Sequence, residues 1–231
     1  MSLLYFAAAV LQTPANPAPA PQTAISAPAE DAALRSRIEA AAKALNSRNP
    51  ADAVKTHDSV IMDFEARYAK TDVTLYAAPN GALSLAYMLK AAAENQSAKV
   101  IDEDWGDAFF LKGFALIDLN RADEAKSYFD RAIALSPMNS QYLSERGEWY
   151  KTRKDWANAF ADFADASENA ALAPGSMRKK YKSRALRGMA YTRLEQRNFK
   201  DAEKYIREAL KIDPQDEHSQ KELEYLKSIR R

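Results

Sequence analysis

Few side chains in this sequence combine a reactive type with a spacing that could perform chemistry. Ser176 and Lys179 form an S-x-x-K pattern, but its partners in penicillin-recognising enzymes, S-D-N and K-T-G, are absent from the sequence. Nucleophile-elbow, P-loop and dinucleotide motifs are absent as well. His57 and His218 are the two histidines, and a metal site or acid-base pair would need them to meet across a large part of the fold. We therefore predict a non-enzyme with no catalytic residue, no metal site and no cofactor.

The remaining ionisable clusters have structural interpretations. His57 is expected to fill a gap between two helices where an aromatic ring would fit, and His218 is expected to be solvated. The acidic run at residues 102–104 precedes a predicted helix, whose dipole favours carboxylates without any ligand. The basic cluster at residues 178–187 falls on two faces of a helix and is expected to be mostly solvated surface. Within this cluster, Arg178 and Lys182 are the two residues that we expect to contact a partner.

The composition argues against several classes of partner and site and indicates the fold class. The chain has 231 residues with 33 basic and 32 acidic side chains, a net charge of +1. This balance argues against nucleic acid as a partner. Cysteine is absent, which excludes disulfides, thiolate metal sites and a lipidated cysteine. Six glycines and plentiful Ala, Leu, Lys and Glu indicate an all-α protein.

A pattern of small and aromatic residues recurs along the second half of the chain. Its first copy contains Gly113, Leu116, Ala125, Phe129 and Ala132, and small or large apolar residues return in the same places 34 positions later. The second copy reads Gly147, Tyr150, Ala159, Phe163 and Ala166. The third copy, more loosely spaced, reads Gly188, Tyr191, Ala202, Ile206, Ala209 and Pro214. Small residues allow two helix axes to approach, and the ring beside them fills the remaining space.

This pattern resembles the tetratricopeptide repeat, a helix-turn-helix unit of 34 residues. The resemblance implies an α-solenoid with repeats at about 106–139, 140–173 and 177–214, followed by a capping helix at 215–231. The second helix of the second copy is expected to overrun, because the closing proline is missing. The third copy has two further residues, since Gly188 and Ala202 are 14 positions apart where Gly113 and Ala125 are 12 apart.

The resemblance also implies a function. In this family the first helix of each repeat lines a concave groove that accepts a peptide or another protein's helix. Carried over from the glycine of each copy, the expected groove residues are Asp107, Phe110, Phe114, Ile117, Gln141, Ser144, Glu148, Lys151, Lys182, Ala185, Met189 and Thr192, with Arg178 beside them. Such a groove would be apolar at one end and polar to basic at the other.

Phe110 and Phe114 leave two alternatives open. Two adjacent phenylalanines would be costly to leave in water, so they either anchor a partner or are covered by the helix predicted at residues 81–96.

The first 104 residues do not follow the repeat clearly. Residues 1–29 form an apolar, signal-like segment and a Pro/Ala-rich tether, which predicts a periplasmic or secreted protein of a bacterium; the alternative is a cytoplasmic protein with a disordered tail. Residues 30–104 form an N-terminal helical region, in which Ala53, His57 and Val60 suggest a degenerate repeat. Residues 73–76 and 99–101 could pair as a small two-stranded ribbon around the helix at 81–96, where Leu83, Tyr87 and Leu89 are available for packing.

Together these features predict an interaction scaffold or adaptor that binds a protein or peptide, with no integral membrane span. Two alternatives stay open. The chain could be a structural component of a bacterial envelope or secretion assembly, or an enzyme whose site lies in residues 71–104.

Overall fold

Helices dominate the computed structural model, which describes residues 34, 36–40, 43 and 49–229. Residues 34 and 36–40 are helical. The helices that follow are α1 (Pro50–Tyr68), α2 (Gly81–Ala93), α3 (Asp104–Asp118), α4 (Ala122–Leu135), α5 (Ser140–Thr152), α6 (Trp156–Asn169), α7 (Arg178–Glu195), α8 (Phe199–Ile212) and α9 (Glu217–Ile229). Two short strands, β1 (Thr74–Ala77) and β2 (Ala98–Ile101), lie on either side of α2 in the sequence. The predicted segment at 1–29 lies outside the described residues.

The helix starts follow from local sequence. Asn49 accepts a hydrogen bond from the Asp52 N–H at the start of α1, and Pro50 takes the first helical position. Asn139, Asp155 and Asn198 cap α5, α6 and α8 in the same way. These polar caps satisfy N–H groups that have no partner within the helix.

The first helix of each repeat ends in the same backbone conformation. Asn120, Lys154 and Arg197 have φ angles of 59°, 58° and 58°, in the left-handed region. Each is followed closely by the second helix of its pair. These three residues therefore mark equivalent points in the three repeats, independently of any side-chain pattern.

The residues of the repeat pattern pack between the two helices of each pair. Ala125, Phe129 and Ala132 on α4 are all 0% exposed, and the ring of Phe129 lies against Gly113 of α3. Ala159, Phe163 and Ala166 on α6 are also 0% exposed. Ala202, Ile206 and Ala209 repeat the arrangement on α8. The three predicted helix pairs are thus formed by α3 with α4, α5 with α6, and α7 with α8.

The two strands form a parallel pair, in register from Thr74 with Ala98 to Ala77 with Ile101. A parallel pair needs a crossover connection, which α2 supplies. Tyr76 stacks on Tyr87 with ring centroids 4.9 Å apart, and Leu83 and Ala91 complete this small core. Leu89, predicted to pack, is instead 61% exposed.

Hydrogen bonds hold this β1-α2-β2 unit against two repeats. The Ser136 hydroxyl, after α4, donates to the Ala77 carbonyl over 2.7 Å. The Asn80 amide donates to the Leu172 carbonyl, after α6, over 3.0 Å. The unit therefore bridges the ends of the first and second helix pairs.

The N-terminal helices extend the packed core. Leu34 and Ile38 join Val60, Ile61 and Phe64 in one cluster with residues of α3 and α4. Ala53, His57 and Val60 are each 0% exposed, like the residues Ala125, Phe129 and Ala132 with which the sequence aligns them. His57 thus fills an interior position, as expected for a ring substitute.

The ends of the last two repeats also follow the prediction. A 3-10 turn at Ala170–Leu172 continues α6, which is the expected overrun. Helix α9 packs on α8 through Leu226, which is 1% exposed. Ile229, at the end of the same helix, is 42% exposed.

Candidate partner-binding site

One cavity of about 100 Å³ lies where α3, α5 and α7 meet the β1-α2-β2 unit. Its lining comes from first helices and from connections: Pro79, Leu83, Glu103, Asp107, Met138, Asn139, Ser140, Gln141, Ala173, Pro174 and Tyr181. Two tyrosine hydroxyls donate hydrogen bonds to residues of this lining. Tyr142 donates to Asp107 Oδ1 over 2.5 Å, and Tyr181 donates to Gln141 Oε1 over 2.5 Å. We call this space the acidic cavity.

Two carboxyl groups define its electrostatics. Burial, reinforced by the charges of Asp107, Asp104 and Asp102, raises the pKa of Glu103 to about 7. Burial also raises the pKa of Asp107 to about 6, although the hydrogen bond from Tyr142 opposes the shift. Among the residues that line the cavity there is no Lys, Arg or His. The two carboxyls therefore lack a cationic partner in the described part of the chain.

A second cavity of about 230 Å³ lies between α5, α7 and α9. Its lining carries both signs of charge: Glu148, Lys151, Arg184, Arg187, Gly188, Tyr191, His218 and Glu222. We call it the mixed-charge cavity. Lys151 lies over the Tyr191 ring, 4.3 Å from its centroid.

The three cations of the mixed-charge cavity are already paired. Lys151 contacts Glu148 Oε2 over 2.8 Å, Arg187 contacts Asp216 Oδ2 over 2.8 Å, and Arg184 pairs with Glu145. Glu222 differs from these carboxylates, because its Oε2 atom is buried with no hydrogen-bond partner among the described residues. Burial raises the pKa of Glu222 to about 6, against the opposing charges of Arg187 and Lys151.

The predicted groove residues of the first two repeats lie in different surroundings. Asp107 and Gln141 meet in the acidic cavity, and Glu148 and Lys151 meet in the mixed-charge cavity. Ile117 is 38% exposed on α3 but lines neither cavity. Ser144 is 1% exposed, so its side chain lies in the interior.

Phe110 belongs to the core of the repeats, so neither of the two alternatives left by the sequence holds for it. It is 3% exposed and lies 4.6 Å from Tyr142 and 4.9 Å from Phe114, measured between ring centroids. The rings that contact Phe110 belong to repeat helices, so α2 does not cover it. Phe114 is half-buried, edge-on to both Phe110 and Phe129.

The groove positions predicted for the third repeat are wrong in register. Ala185 and Thr192 are 0% exposed and Met189 is 8% exposed, so the three residues lie in the core. Lys182 donates to the Ser167 carbonyl over 2.8 Å and Arg178 to the Ala173 carbonyl over 2.9 Å, so both are occupied with backbone. The expected basic end of the groove is therefore not made by these residues.

The reason for the error is the choice of alignment point. Lys154 lies 34 positions after Asn120, but Arg197 lies 43 positions after Lys154. Counted from this turn, Ala190 takes the place of Gly147, and Ala190 does pack in one cluster with Ala202 and Ile206 of its own pair. The sequence-based prediction had instead aligned Gly188, two residues earlier, with Gly147. Because two residues rotate a helix by about 200°, the predicted face points to the opposite side.

Counting from the turn places different third-repeat residues on the groove face. They are Arg184, Arg187, Tyr191 and Leu194, and the first three line the mixed-charge cavity. Sequence reasoning missed these residues, together with Glu103, Tyr181 and Glu222. The matching Lys154-Asp155-Trp156 and Arg197-Asn198-Phe199 segments carried the signal that would have found the correct register.

Comparison with known proteins bears on this architecture. A family model of the tetratricopeptide repeat matches residues 106–139 and 181–216, which are the first and third helix pairs. The chain is a tetratricopeptide repeat protein. Its second repeat, α5 with α6, shows the same helix pairing between the two matched segments. Proteins of this family are typically non-catalytic scaffolds for protein-protein interaction.

Solved structures of other tetratricopeptide repeat-like proteins have the same fold. PilF of Pseudomonas aeruginosa gives a TM-score of 0.59 at 14% identity, covering 85% of this chain and 68% of that one. MamA of Desulfovibrio magneticus RS-1 gives 0.57 at 13% identity, covering 85% of each chain. A putative kinesin light chain of Podosopora anserina gives 0.51 at 13% identity, covering 85% and 94%. No curated protein matches the sequence.

Two other classes of site, a membrane-spanning helix and a metal site, concern residues 34, 36–40, 43 and 49–229. None of the helices in these ranges is both long and apolar enough to cross a membrane. In the same part of the repeat protein, no group of three or more His, Cys, Asp or Glu side chains could hold a metal ion.

Proposed function

We propose that this tetratricopeptide repeat protein binds a segment of a partner protein along its first-helix face, meaning the exposed side chains of α3, α5, α7 and α9. One observation carries the proposal. Both cavities are lined by these helices, by α2 and by connecting segments, and no described residue of α4, α6 or α8 lines either. Concavity along one face is the form in which repeat proteins present a binding surface.

Packing supports a preformed surface. Phe129 and Phe163 are 0% exposed between the helices of their pairs, and Tyr142 connects α5 to both Phe110 and Asp107 of α3. Such contacts fix the spacing of the first helices. A rigid surface loses little conformational entropy on binding, which favours recognition of an extended or helical segment.

The proposal includes the absence of catalysis. Lys151, Arg184 and Arg187 are each held in ion pairs, and the β1-α2-β2 unit is filled by tyrosine and aliphatic side chains. These are packing and charge-pairing arrangements. The alternative, an enzyme site in residues 71–104, would rest on the carboxyl groups of Glu103 and Asp107, which converge beside Leu83 of α2 in the acidic cavity.

Location and assembly are proposals from the sequence. The apolar run at residues 3–11 supports export to the periplasm or beyond. N-terminal sequencing of the protein purified from its host tests export, since a start near residue 21 supports it and a start at Met1 contradicts it. A single stoichiometric partner recovered there would favour the structural-assembly alternative over an adaptor.

The binding proposal is tested by a matched pair of substitutions. Ile117→Arg places a charge on the first-helix face, whereas Ala161→Arg places the same charge on the exposed side of α6. We expect Ile117→Arg to abolish affinity capture of the native partner and Ala161→Arg to retain it, with unchanged helical circular dichroism in both. Equal capture by the two variants contradicts the proposal.

A further inference from the structure

The charged groups that line the two cavities are not all paired with one another. Each lysine and arginine of the mixed-charge cavity has an acidic partner: Glu148 for Lys151, Glu145 for Arg184 and Asp216 for Arg187. Three carboxyl groups have no such partner among the described residues. They are Glu103 and Asp107 in the acidic cavity and Glu222 in the mixed-charge cavity.

The two cavities provide this observation independently. In the acidic cavity, the described contact of the Asp107 carboxylate is the neutral hydroxyl of Tyr142, and no ion pair is found for Glu103. In the mixed-charge cavity, Glu222 Oε2 is buried and accepts no hydrogen bond within the described ranges. A buried carboxylate oxygen without a donor is costly, and a ligand that donates to it recovers that cost.

We propose that the partner segment inserts a basic side chain, preferably arginine, into the acidic cavity, and places a second donor on Glu222; this inference rests on the proposed function. A guanidinium group offers several N–H donors in a plane and can satisfy two carboxylates together. Leu83, Met138 and Pro174 line the same cavity and provide apolar surface for the aliphatic stem.

The size and walls of the acidic cavity suit this occupant. A volume of about 100 Å³ accommodates the end of one side chain but not a folded domain. Its walls join the β1-α2-β2 unit, through Pro79 and Leu83, to the α6–α7 connection at Ala173 and Pro174. The repeats alone would leave this end of the face open, so the inserted unit confers selectivity for a side chain at this point.

Peptide selection tests the inference without knowledge of the native partner. The probe is a displayed library of random 12-residue peptides, selected against the full chain. We expect the enriched peptides to share at least one arginine or lysine. Replacing that arginine by citrulline, which has nearly the same shape and no charge, should weaken binding about tenfold or more, because a charge-assisted contact is lost.

Substitutions in the chain test which carboxyl groups bind the arginine of the peptide. The double variant Glu103→Gln and Asp107→Asn should bind the arginine and citrulline peptides equally, and Glu222→Gln should weaken the arginine peptide about tenfold. Asp165→Asn, on the exposed side of α6, is the matched control and should bind like the native chain. Fluorescence polarisation of the labelled peptides gives each Kd.

The outcomes separate this inference from the proposed function. Enriched peptides without basic residues, or equal binding of arginine and citrulline forms by the native chain, overturn the basic-partner inference. The proposed function survives that result if Ile117→Arg still abolishes peptide binding. Peptides that bind Ile117→Arg as well as the native chain overturn both, as does a selection that enriches no peptide.

Discussion

The backbone of Gly188 lies against the ring of Phe163, so closely that an ideal Cβ atom at this position would be 2.5 Å from Cε1 of the ring. The same ring lies against Gly147, where an ideal Cβ would be 3.0 Å from Cε1. One phenylalanine of the second repeat thus fills the space between two first helices. The spacing of α5 and α7, and with it the width of the mixed-charge cavity, depends on this ring and its two glycines.

Gly188→Ala is expected to destabilise the protein. Alanine favours a helix over glycine, but the added methyl group would overlap a fully buried ring, and overpacking costs about 1–3 kcal/mol. Urea unfolding followed by circular dichroism measures the change. Gly175→Ala is the control, because nothing lies within 4 Å of its ideal Cβ. An equal or higher midpoint for Gly188→Ala than for the native chain would contradict this packing.

Arg146→Ala is expected to cost about 3 kcal/mol of unfolding free energy. Arg146 donates to both carboxylate oxygens of Asp162, over 2.8 and 2.7 Å, and to Asp130 over 2.9 Å, so it connects α5 to both α6 and α4. Asp162 is 4% exposed, and its charge would be left buried without a partner.

Arg207→Ala is the matched control for that substitution. Arg207 pairs with Glu203 one turn earlier on the surface of α8, and such exposed pairs contribute less than about 1 kcal/mol. Equal destabilisation by the two substitutions would mean that the Arg146 network has no special structural role.

His57→Phe is expected to reduce the acid sensitivity of folding. Burial lowers the pKa of His57 to about 4, with the charge of Lys112 acting in the same direction and that of Asp58 opposing it. Since the folded state binds the proton less readily than the unfolded state, its contribution is complete above pH 6.5 and is lost as the pH falls toward 4. The loss amounts to about 3 kcal/mol.

Denaturant unfolding between pH 7 and 4 measures this difference. Phenylalanine is the residue that the first repeat has at the equivalent position, Phe129, so it should fit the site. Identical pH slopes for the native chain and His57→Phe would contradict the interior, uncharged role of this histidine.

Removing the acidic-cavity charges is expected to stabilise the fold while weakening binding. Glu103 and Asp107 have raised pKa values in the folded state, so their ionisation opposes folding above about pH 7, and this opposition fades as the pH falls toward 4. The Glu103→Gln and Asp107→Asn double variant should melt a few degrees above the native chain at pH 8. The advantage should shrink at pH 5. Equal melting temperatures at both pH values would contradict the account of these carboxyls.

The sequence predicted the repeat fold well because its packing rules are local. Gly113 and Phe129, or Gly147 and Phe163, are close in the sequence and belong to one helix pair, so their types and spacing report directly on their contact. The turns at Asn120, Lys154 and Arg197 obey the same local logic.

The site was harder to predict because it depends on contacts between elements distant in the sequence. The acidic cavity joins Leu83, Asp107 and Tyr181, whose proximity no spacing rule reveals. In the third repeat, the sequence prediction aligned Gly188 with Gly147 where the true equivalent is Ala190, so it placed the buried Met189 on the groove face and left out Tyr191, which lines a cavity. A small error of alignment therefore left the fold prediction intact and reversed the site prediction.

Site-specific photocrosslinking in the native host tests the central claim most directly. A photoreactive residue is placed at Ile117 or Gln141 on the first-helix face, and at Ser127 or Ala161 on the exposed sides of α4 and α6. We predict that the first pair crosslinks to one and the same partner protein and that the second pair does not. Crosslinks to that partner from Ser127 and Ala161, with none from Ile117 and Gln141, would contradict the assignment of binding to the first-helix face.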